Sequence, residues 1–339
     1  MTVALLISTD RLAQDYVMLN RLTVGLLDHG IQVIRVVPEN KMEETQKFGT
    51  AVSFANQIEV SMPISRLLRQ NRRNEVVELF LKHDVTIVVG FGSDAMQLAL
   101  DIEKVLDIKV MCEVLSMKSA KKARRKSKIW SWFAPTPSIA QEVERRVGAE
   151  RVALIPLGVT NHHAMQKTER PAKKCLVMLD GACEYKNSSE ILASLSTFPD
   201  VHVFIEMVGK HQQRLWKNIT SLAMHDRVTC LCDVGALRSL VVQADLLVLP
   251  HTAMEVRTVL LEAMLCEVPI LSTAIQGFDM LIDEETAIIT NNSWESSLSL
   301  LLDDQELCKR IARNGAALIA QKYGSAVQIA AFEASFTLI

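Results

Sequence analysis

The stretch ADLLVLPHTAMEVRTVLLEAMLCEVPILST, which runs from Ala244 to Thr273, decides the fold of this chain. It predicts a buried strand at Leu246–Leu249, then a polar turn, a helix over about Thr258–Cys266 and a second apolar strand at Ile270–Leu271. A strand, a helix and a strand in this order are typical of a parallel α/β sheet. Loops after parallel strands hold ligands, and a helix N-terminus attracts anions. We therefore expect a ligand site in the turn.

Composition sets the broad class of the protein. The chain has 339 residues, of which 49% are hydrophobic and 22% charged, as in a globular protein with room for two domains. The formal net charge of −2 gives no general attraction to nucleic acid, and no nucleic-acid partner is expected. The seven cysteines lack the paired spacing of zinc motifs, so we expect reduced thiols, no metal and no other cofactor.

The sequence also gives an expectation for location. It contains no run of eighteen apolar residues that would predict a membrane span. The first residues, MTVALLISTD, lack a basic start and predict a first strand rather than a signal peptide. We therefore expect a cytoplasmic protein.

Short apolar runs alternate with helical patterns along the sequence, so each half is expected to form a parallel sheet covered by helices. We assign residues 1–160 to an N-terminal Rossmann-like domain and residues 174–322 to a C-terminal one. The polar segment 161–173 contains Pro171 and is interpreted as the linker. The predicted strands are Val3–Ile7, Gln32–Val37, Thr86–Val89, Lys109–Cys112, Trp132–Pro135, Val152–Pro156, Cys175–Leu179, Val201–Met207, Val228–Leu231, Leu246–Leu249, Ile270–Leu271 and Ala287–Ile289.

The second half carries an ordered set of motifs: IPLGV at 155–159, LDGACEYKNSSEIL at 179–192, ADLLVLP at 244–250, VLLEAMLCEVPILST at 259–273 and IQGFDMLIDEETAIIT at 275–290. In this order they resemble the retaining, nucleotide-sugar-dependent glycosyltransferases of group 1 (family 4-like). The resemblance covers about Phe133 to Asn314. It implies the GT-B architecture: two Rossmann-like, doubly wound α/β domains and a C-terminal helix, residues 323–339, that packs back on the N-terminal domain.

The resemblance implies a nucleotide-diphosphate sugar donor, held mainly by the C-terminal domain, and a glycan or lipid-linked acceptor. Glu255 and Lys186 are the implied catalytic residues, Glu255 at the donor sugar or phosphate and Lys186 at the diphosphate. A leaving diphosphate gains negative charge as the sugar bond breaks, so cations and helix N–H groups would stabilise the transition state. Glu262, within LLEAM, is implied to bind the ribose. The other implied substrate-binding residues are Arg257, Thr258, Val259, Gly277, Val234 and Gly181.

Several positions depart from the family pattern. Ala182 stands where the family has an arginine, and Met254 occupies the place of the first glutamate, one residue before Glu255. In the first half, STDR at 8–11 replaces a glycine-rich loop, and Glu113 replaces a histidine. Two alternatives to sugar transfer therefore stay open. One is a catalytically silent relative that serves as a scaffold or binding partner; the other is a GT-B relative that epimerises or hydrolyses a sugar nucleotide.

The run KSAKKARRKSKIWSWF, Lys118–Phe133, combines seven Lys or Arg residues with Trp130, Trp132 and Phe133. Basic residues beside aromatic ones suit an interfacial helix on anionic lipid, which predicts a peripheral contact with the inner membrane face. The alternative is a solvated helix that leads into a buried aromatic strand.

Overall fold

The apolar runs of the chain form two parallel sheets, each flanked by helices. The computed structural model describes residues 1–39, 56–60, 66–124, 128–160, 174–232, 234–290 and 293–337, with side chains 66–72 and 234 excepted. The expected linker, residues 161–173, lies outside this part of the chain. Contacts divide the chain into an N-terminal unit, Met1–Gly158 with Ser325–Ile339, and a C-terminal unit, Val159–Gly324.

The N-terminal unit alternates strands and helices. Its elements are β1 (Thr2–Ile7), α1 (Thr9–Asp28), β2 (Gln32–Pro38), β3 (Gln57–Val60), α2 (Arg66–Lys82), β4 (Val85–Phe91), α3 (Ser93–Glu103), β5 (Lys109–Glu113), α4 (Met117–Ala120), β6 (Ser131–Ala134), α5 (Pro137–Val147), β7 (Val152–Leu154) and α12 (Ser325–Thr337).

These strands pair in parallel in the order β3-β2-β1-β4-β5-β6-β7, which is the doubly wound arrangement. Every residue of the central strand β1 is buried, because helices cover a parallel sheet on both faces.

The C-terminal unit repeats this plan. Its elements are β8 (Lys174–Met178), α6 (Tyr185–Leu195), β9 (Val201–Glu206), α7 (Gln212–Ser221), β10 (Val228–Leu231), α8 (Val234–Val241), β11 (Leu246–Leu249), α9 (Thr258–Leu265), β12 (Ile270–Ser272), β13 (Ile288–Ile289), α10 (Trp294–Asp303) and α11 (Gln305–Lys322).

The sheet order β10-β9-β8-β11-β12-β13 reverses direction between β8 and β11. That reversal is where doubly wound sheets bind ligands, at the carboxyl ends of the strands. The apolar core of this unit lies between the sheet and helices α6, α7 and α10, around residues such as Leu176, Ile191, Ile205 and Leu298.

The predicted fold class, two doubly wound α/β domains, is confirmed. The strand bounds at Val228–Leu231 and Leu246–Leu249 match the prediction residue for residue. The prediction missed β3, a four-residue edge strand that is mostly half-buried and carries a weak apolar signal. It also missed helix α10, although its buried residues Trp294, Leu298, Leu301 and Leu302 have the spacing of one helix face.

The last helix belongs to the N-terminal unit, as the GT-B expectation requires. Helix α12 packs against α1. Its Phe332 is fully buried and makes ring contacts with Phe91 and Phe133, at centroid distances of 6.3 and 5.3 Å. This aromatic cluster joins the end of the chain to β4 and β6.

The basic segment does not form the expected interfacial helix in its described part. Helix α4 contains only four residues, and the segment then continues as turns up to β6, with residues 125–127 outside the described part. Trp132 and Phe133 are buried in β6. These two aromatic side chains therefore pack within the protein and do not face a lipid surface. Trp130 lies under the Lys109 ammonium at 5.3 Å. None of the described helices is long and apolar enough to cross a membrane.

Gly209 fixes how closely two loops of the C-terminal unit approach each other. Its φ of +124° is a conformation that side chains disfavour. A Cβ there would lie 2.4 Å from the backbone carbon and oxygen of Ala182 and 2.5 Å from Cys183 N. The neighbouring His211 N–H donates to Ala182 O at 3.0 Å. The backbones of the loops after β8 and β9 therefore pack directly against each other at the carboxyl edge of the sheet.

We predict that Gly209→Ala destabilises the C-terminal unit by about 2–4 kcal/mol, because backbone must move as well as adopt a strained φ. Urea denaturation measures the loss. Gly315→Ala is the matched control in the same unit. Gly315 lies inside α11, and its Cβ would meet the flexible end of Met264 at 3.3 Å and Thr286 O at 3.5 Å, an ordinary contact, so a change under about 1 kcal/mol is expected. Equal effects of the two substitutions would contradict the close packing of the loops.

Candidate functional site

The carboxyl edge of the C-terminal sheet gathers charged side chains from three strand ends. Asp180 follows β8, Glu206 ends β9, and the loop after β11 carries His251, Glu255 and Arg257 before α9 begins. Because β9, β8 and β11 are neighbours in a parallel sheet, their last residues meet at one edge. This edge is the candidate site.

Arg257 is a buried cation that is held by carboxylates of the protein. It donates two hydrogen bonds to Glu206, from Nη1 to Oε2 and from Nη2 to Oε1, both at 2.8 Å. Nη1 also lies 3.4 Å from Asp180 Oδ1. Only 6% of Arg257 is exposed. Its guanidinium therefore ties the start of α9 to the ends of β8 and β9, and it could reach a ligand phosphate only by sharing or leaving these partners.

The pKa values of the two carboxyl groups around Arg257 are shifted in opposite directions. Burial favours the neutral form of Glu206, but the hydrogen bonds and charge of Arg257, with the Asp180 N–H at 2.9 Å, outweigh it and lower the pKa. Burial raises the pKa of Asp180 to about 6, because the longer contact with Arg257 compensates only in part and the charges of Glu206 and Glu255 add to the rise. Glu206 is thus the main partner of the guanidinium.

Glu262, the residue implied to bind ribose, is buried in α9 and has a cation beside it. Its Oε2 lies 3.0 Å from Nε of Arg238, a residue of α8. Nη2 of the same guanidinium donates to Thr258 Oγ1 at 2.8 Å. A ribose at Glu262 would therefore meet an existing ion pair, whose guanidinium also donates to the first residue of the helix.

The turn before α9 sends neighbouring side chains in opposite directions. Met254 and Val256 are buried, whereas Glu255 between them is exposed. Glu255 therefore offers its carboxylate at this edge, although the family pattern places the first glutamate at position 254. Its charge contributes to the raised pKa of Asp180, which puts the two carboxyl groups within electrostatic reach.

The start of α9 is a further part of the site. Thr258 and Val259 are its first two residues and both are buried. Arg257 precedes them in an extended conformation, φ −123° and ψ 145°, and gives the helix no side-chain cap. Backbone N–H groups in a first turn have no partner within the helix, so this end suits an anion.

Lys186 lies in different surroundings, as the second residue of helix α6. It is exposed and, among the described residues, makes no ion pair. It lines an open pocket of about 550 Å³ near the carboxyl edge. The pocket residues are Cys183, Glu184, Tyr185, Lys186, Ser189, Glu190, Lys210, His211 and Arg214.

Gly181 and Gly277 serve the backbone of the site. The Gly181 N–H donates to Glu206 O at 3.0 Å, and its carbonyl accepts a hydrogen bond from Ser188 Oγ at 2.6 Å. Gly277, in the loop after β12, has a φ of +87°, in the region that favours glycine. Val234 begins α8, and its side chain lies outside the described part.

Sequence reasoning missed four charged or titratable residues of this edge: Asp180, Glu206, Arg238 and His251. Glu206 had a weak signal, since it is the acidic end of the otherwise apolar strand VHVFIE. Arg238 is the one charged residue in helix α8, VGALRSLV. Their partners are distant in the sequence, so neither signal could identify a pair.

The N-terminal unit has a comparable buried network at the carboxyl ends of β1 and β5. Arg11 donates to Glu113, from Nε to Oε1 at 2.7 Å and from Nη2 to Oε2 at 3.1 Å, and also pairs with Asp15. The side chains of Arg11, Asp15 and Glu113 are all at least 96% buried. The two departures from the family pattern in this half are therefore partners of each other.

The comparisons with known proteins agree with this fold. Residues 162–318, a little less than half of the chain, match the family model "Glycosyl transferases group 1". No curated protein sequence matches the chain.

Solved structures match over nearly the whole length. The chain is similar to Anabaena Alr3699/HepE in complex with UDP and glucose, with 13% identity, all of both chains covered and a TM-score of 0.78. It is also similar to sucrose-phosphate synthase from Thermosynechococcus elongatus, with 16% identity, 99% and 98% coverage and a TM-score of 0.77. A putative UDP-N-acetylglucosamine 2-epimerase from Listeria monocytogenes matches with 11% identity, 97% and 94% coverage and a TM-score of 0.66. At these identities the likeness concerns the fold, which is that of GT-B proteins.

We predict that Arg257→Met costs about 3–5 kcal/mol of unfolding free energy, because it leaves the Glu206 carboxylate buried without its cation. Urea denaturation measures the loss. Lys309→Met is the control, since Lys309 pairs with Glu306 at 2.8 Å on an exposed surface and its removal should change nothing measurable. A loss below about 1 kcal/mol for Arg257→Met would show that the pair does not form in solution.

The raised pKa of Asp180 predicts a pH-dependent difference between the protein and its Asp180→Asn variant. The folded state holds this proton more tightly than the unfolded state, so the wild type loses stability as pH rises from about 4 through about 6. The variant keeps a neutral side chain and avoids that loss. Its stability relative to wild type should rise by about 3 kcal/mol over this window and then level off. Urea denaturation at several pH values tests this; a constant difference would contradict it.

Proposed function

We propose that this chain is a glycosyltransferase that moves a sugar from a nucleotide-diphosphate donor, with retention of anomeric configuration, onto a glycan or lipid-linked acceptor. The observation that carries the proposal is the match of residues 162–318 to the group 1 model, on the unit whose switch point gathers Glu255, Arg257 and Glu262. The GT-B fold of both units supports it.

The donor we propose carries uridine diphosphate. Structural neighbours of this chain bind UDP or UDP-glucose, such as Anabaena Alr3699/HepE. Those complexes concern proteins at 13% identity, so they supply the choice of ligand to test.

The diphosphate would lie at the start of α9, where the N–H groups of Thr258 and Val259 attract an anion, with Lys186 as the mobile cation. Arg257 would act mainly through Glu206, by holding the helix start in place. Glu255 would face the donor sugar from the exposed side of the turn. These roles match the need of a departing diphosphate, which gains charge as the bond to the sugar breaks.

Ribose binding at Glu262 needs one further step. A ribose diol can donate to one carboxylate oxygen while Arg238 keeps the other, because a carboxylate accepts up to four hydrogen bonds. The Arg238–Glu262 pair would then orient the carboxylate rather than compete with the nucleotide.

A catalytically silent binding protein is the second candidate. It is favoured by one observation: Arg257 and Glu262, two of the implied donor contacts, already have ionic partners in the protein.

Epimerisation or hydrolysis of a sugar nucleotide is the third candidate function, supported by the similarity to the Listeria protein. Incubation with the donor alone separates it from transfer, because only these two reactions proceed without an acceptor.

Calorimetric titration with UDP, GDP and ADP tests the proposal. We expect UDP to bind, and Lys186→Ala to weaken UDP binding about tenfold, since a charge-assisted contact contributes roughly 1.5–3 kcal/mol. Lys217→Ala is the control, an exposed lysine of α7 outside the pocket lining. If none of the three nucleotides binds at millimolar concentration, transfer, epimerisation and hydrolysis are all rejected and the silent protein is supported.

A further inference from the structure

We propose that Asp180, Cys183 and His251 form a binding site for a divalent transition metal, of which Zn²⁺ fits best. One carboxylate oxygen, the Sγ atom and one ring nitrogen of these residues lie within 4.8 Å of one another. The inference is independent of the proposed sugar transfer, because it concerns the metal alone. It also revises the expectation from the sequence that no metal is bound.

The fold brings these three residues together at two adjacent strand ends. Asp180 and Cys183 lie in the tight turn after β8, where the Cys183 N–H donates to Asp180 O at 2.9 Å. His251 is the second residue after β11, which pairs with β8 in register. The donors therefore come from parts of the chain that are far apart in sequence, which explains why cysteine spacing alone gave no metal motif.

The donor set has the chemistry of a zinc site. Thiolate sulfur, imidazole nitrogen and carboxylate oxygen are the three ligand types that Zn²⁺ uses, and a site with three protein ligands keeps a fourth position open. Metal–ligand bonds of about 2.0–2.3 Å put tetrahedral ligands roughly 3.5 Å apart. The donors here need to close from at most 4.8 Å, a shift that rotation of half-buried side chains can supply.

The surrounding charge also favours a cation. Asp180, Glu206 and Glu255 surround a single guanidinium, that of Arg257, so the three carboxylates outnumber the cation among these four side chains. Arg257 lies 3.4 Å from Oδ1 of Asp180, and the second oxygen of a carboxylate can bind a metal at the same time.

Metal binding would change one existing contact. The Cys183 thiol donates a weak hydrogen bond to Val208 O at 3.4 Å. A metal-bound cysteine is a thiolate, so the thiol proton passes to solvent and this bond is lost. The weak S–H contact is a small loss compared with a metal–sulfur bond.

Cobalt(II) titration of the chelator-treated full chain tests the site. We expect saturable binding of one ion with the near-ultraviolet absorption of a thiolate-to-cobalt charge transfer, and displacement of cobalt by Zn²⁺. Cys183→Ser should abolish that absorption, and His251→Gln should weaken binding more than tenfold, since even partners outside the coordination shell are worth 10–100-fold. Circular dichroism checks that each variant is folded.

The double variant Cys230→Ser with Cys232→Ser is the matched control, because these two thiols are the other neighbouring cysteines in the same unit. It should keep the charge-transfer absorption. Two outcomes would overturn the proposal: no saturable cobalt binding by the wild type, or charge-transfer absorption that persists in Cys183→Ser.

Discussion

The buried pair between Arg257 and Glu206 is the constraint on which the rest of the C-terminal unit depends. Removing two charges from water is costly, and only good geometry with further hydrogen bonds compensates for it. Here the guanidinium makes two parallel hydrogen bonds to Glu206, and the same carboxylate accepts the N–H of Asp180. One ion pair thus links the ends of β8 and β9 to the start of α9.

This constraint changes how the site would meet an anion. A cation that already neutralises a buried carboxylate attracts a phosphate less than a free one does, because the pair is nearly neutral from a distance. The attraction at this edge then rests on the exposed Lys186 and the helix N–H groups of α9. A residue type at a motif position is therefore not enough to assign a role, since its partners decide how much charge it offers.

The sequence predicted most strands of this fold because fully buried parallel strands are continuous apolar runs. Edge strand β3 was missed because a short, partly exposed strand carries a weak pattern. Helix α10 was missed although Trp294, Leu298, Leu301 and Leu302 repeat at helical spacing. The sequence predicted the location of the site, at a strand-turn-helix, but not which of its charged side chains pair with each other. Glu206 and Arg257 are 51 residues apart, and periodicity contains no information on which distant charges meet. The alternation that buries Met254 and exposes Glu255 also depends on the path of the turn, which packing sets.

The N-terminal unit gives the same lesson about departures from a family pattern. Arg11 and Glu113 look like two separate losses in the sequence, yet in the structure they form a buried ion pair with each other. Partnered substitutions of this kind preserve a folded unit and say nothing by themselves about lost activity. Evidence on activity must come from side chains that stability does not require. Lys186 and Glu255 meet that condition because both are exposed. Changing either residue should therefore affect ligand binding or activity rather than the stability of the fold.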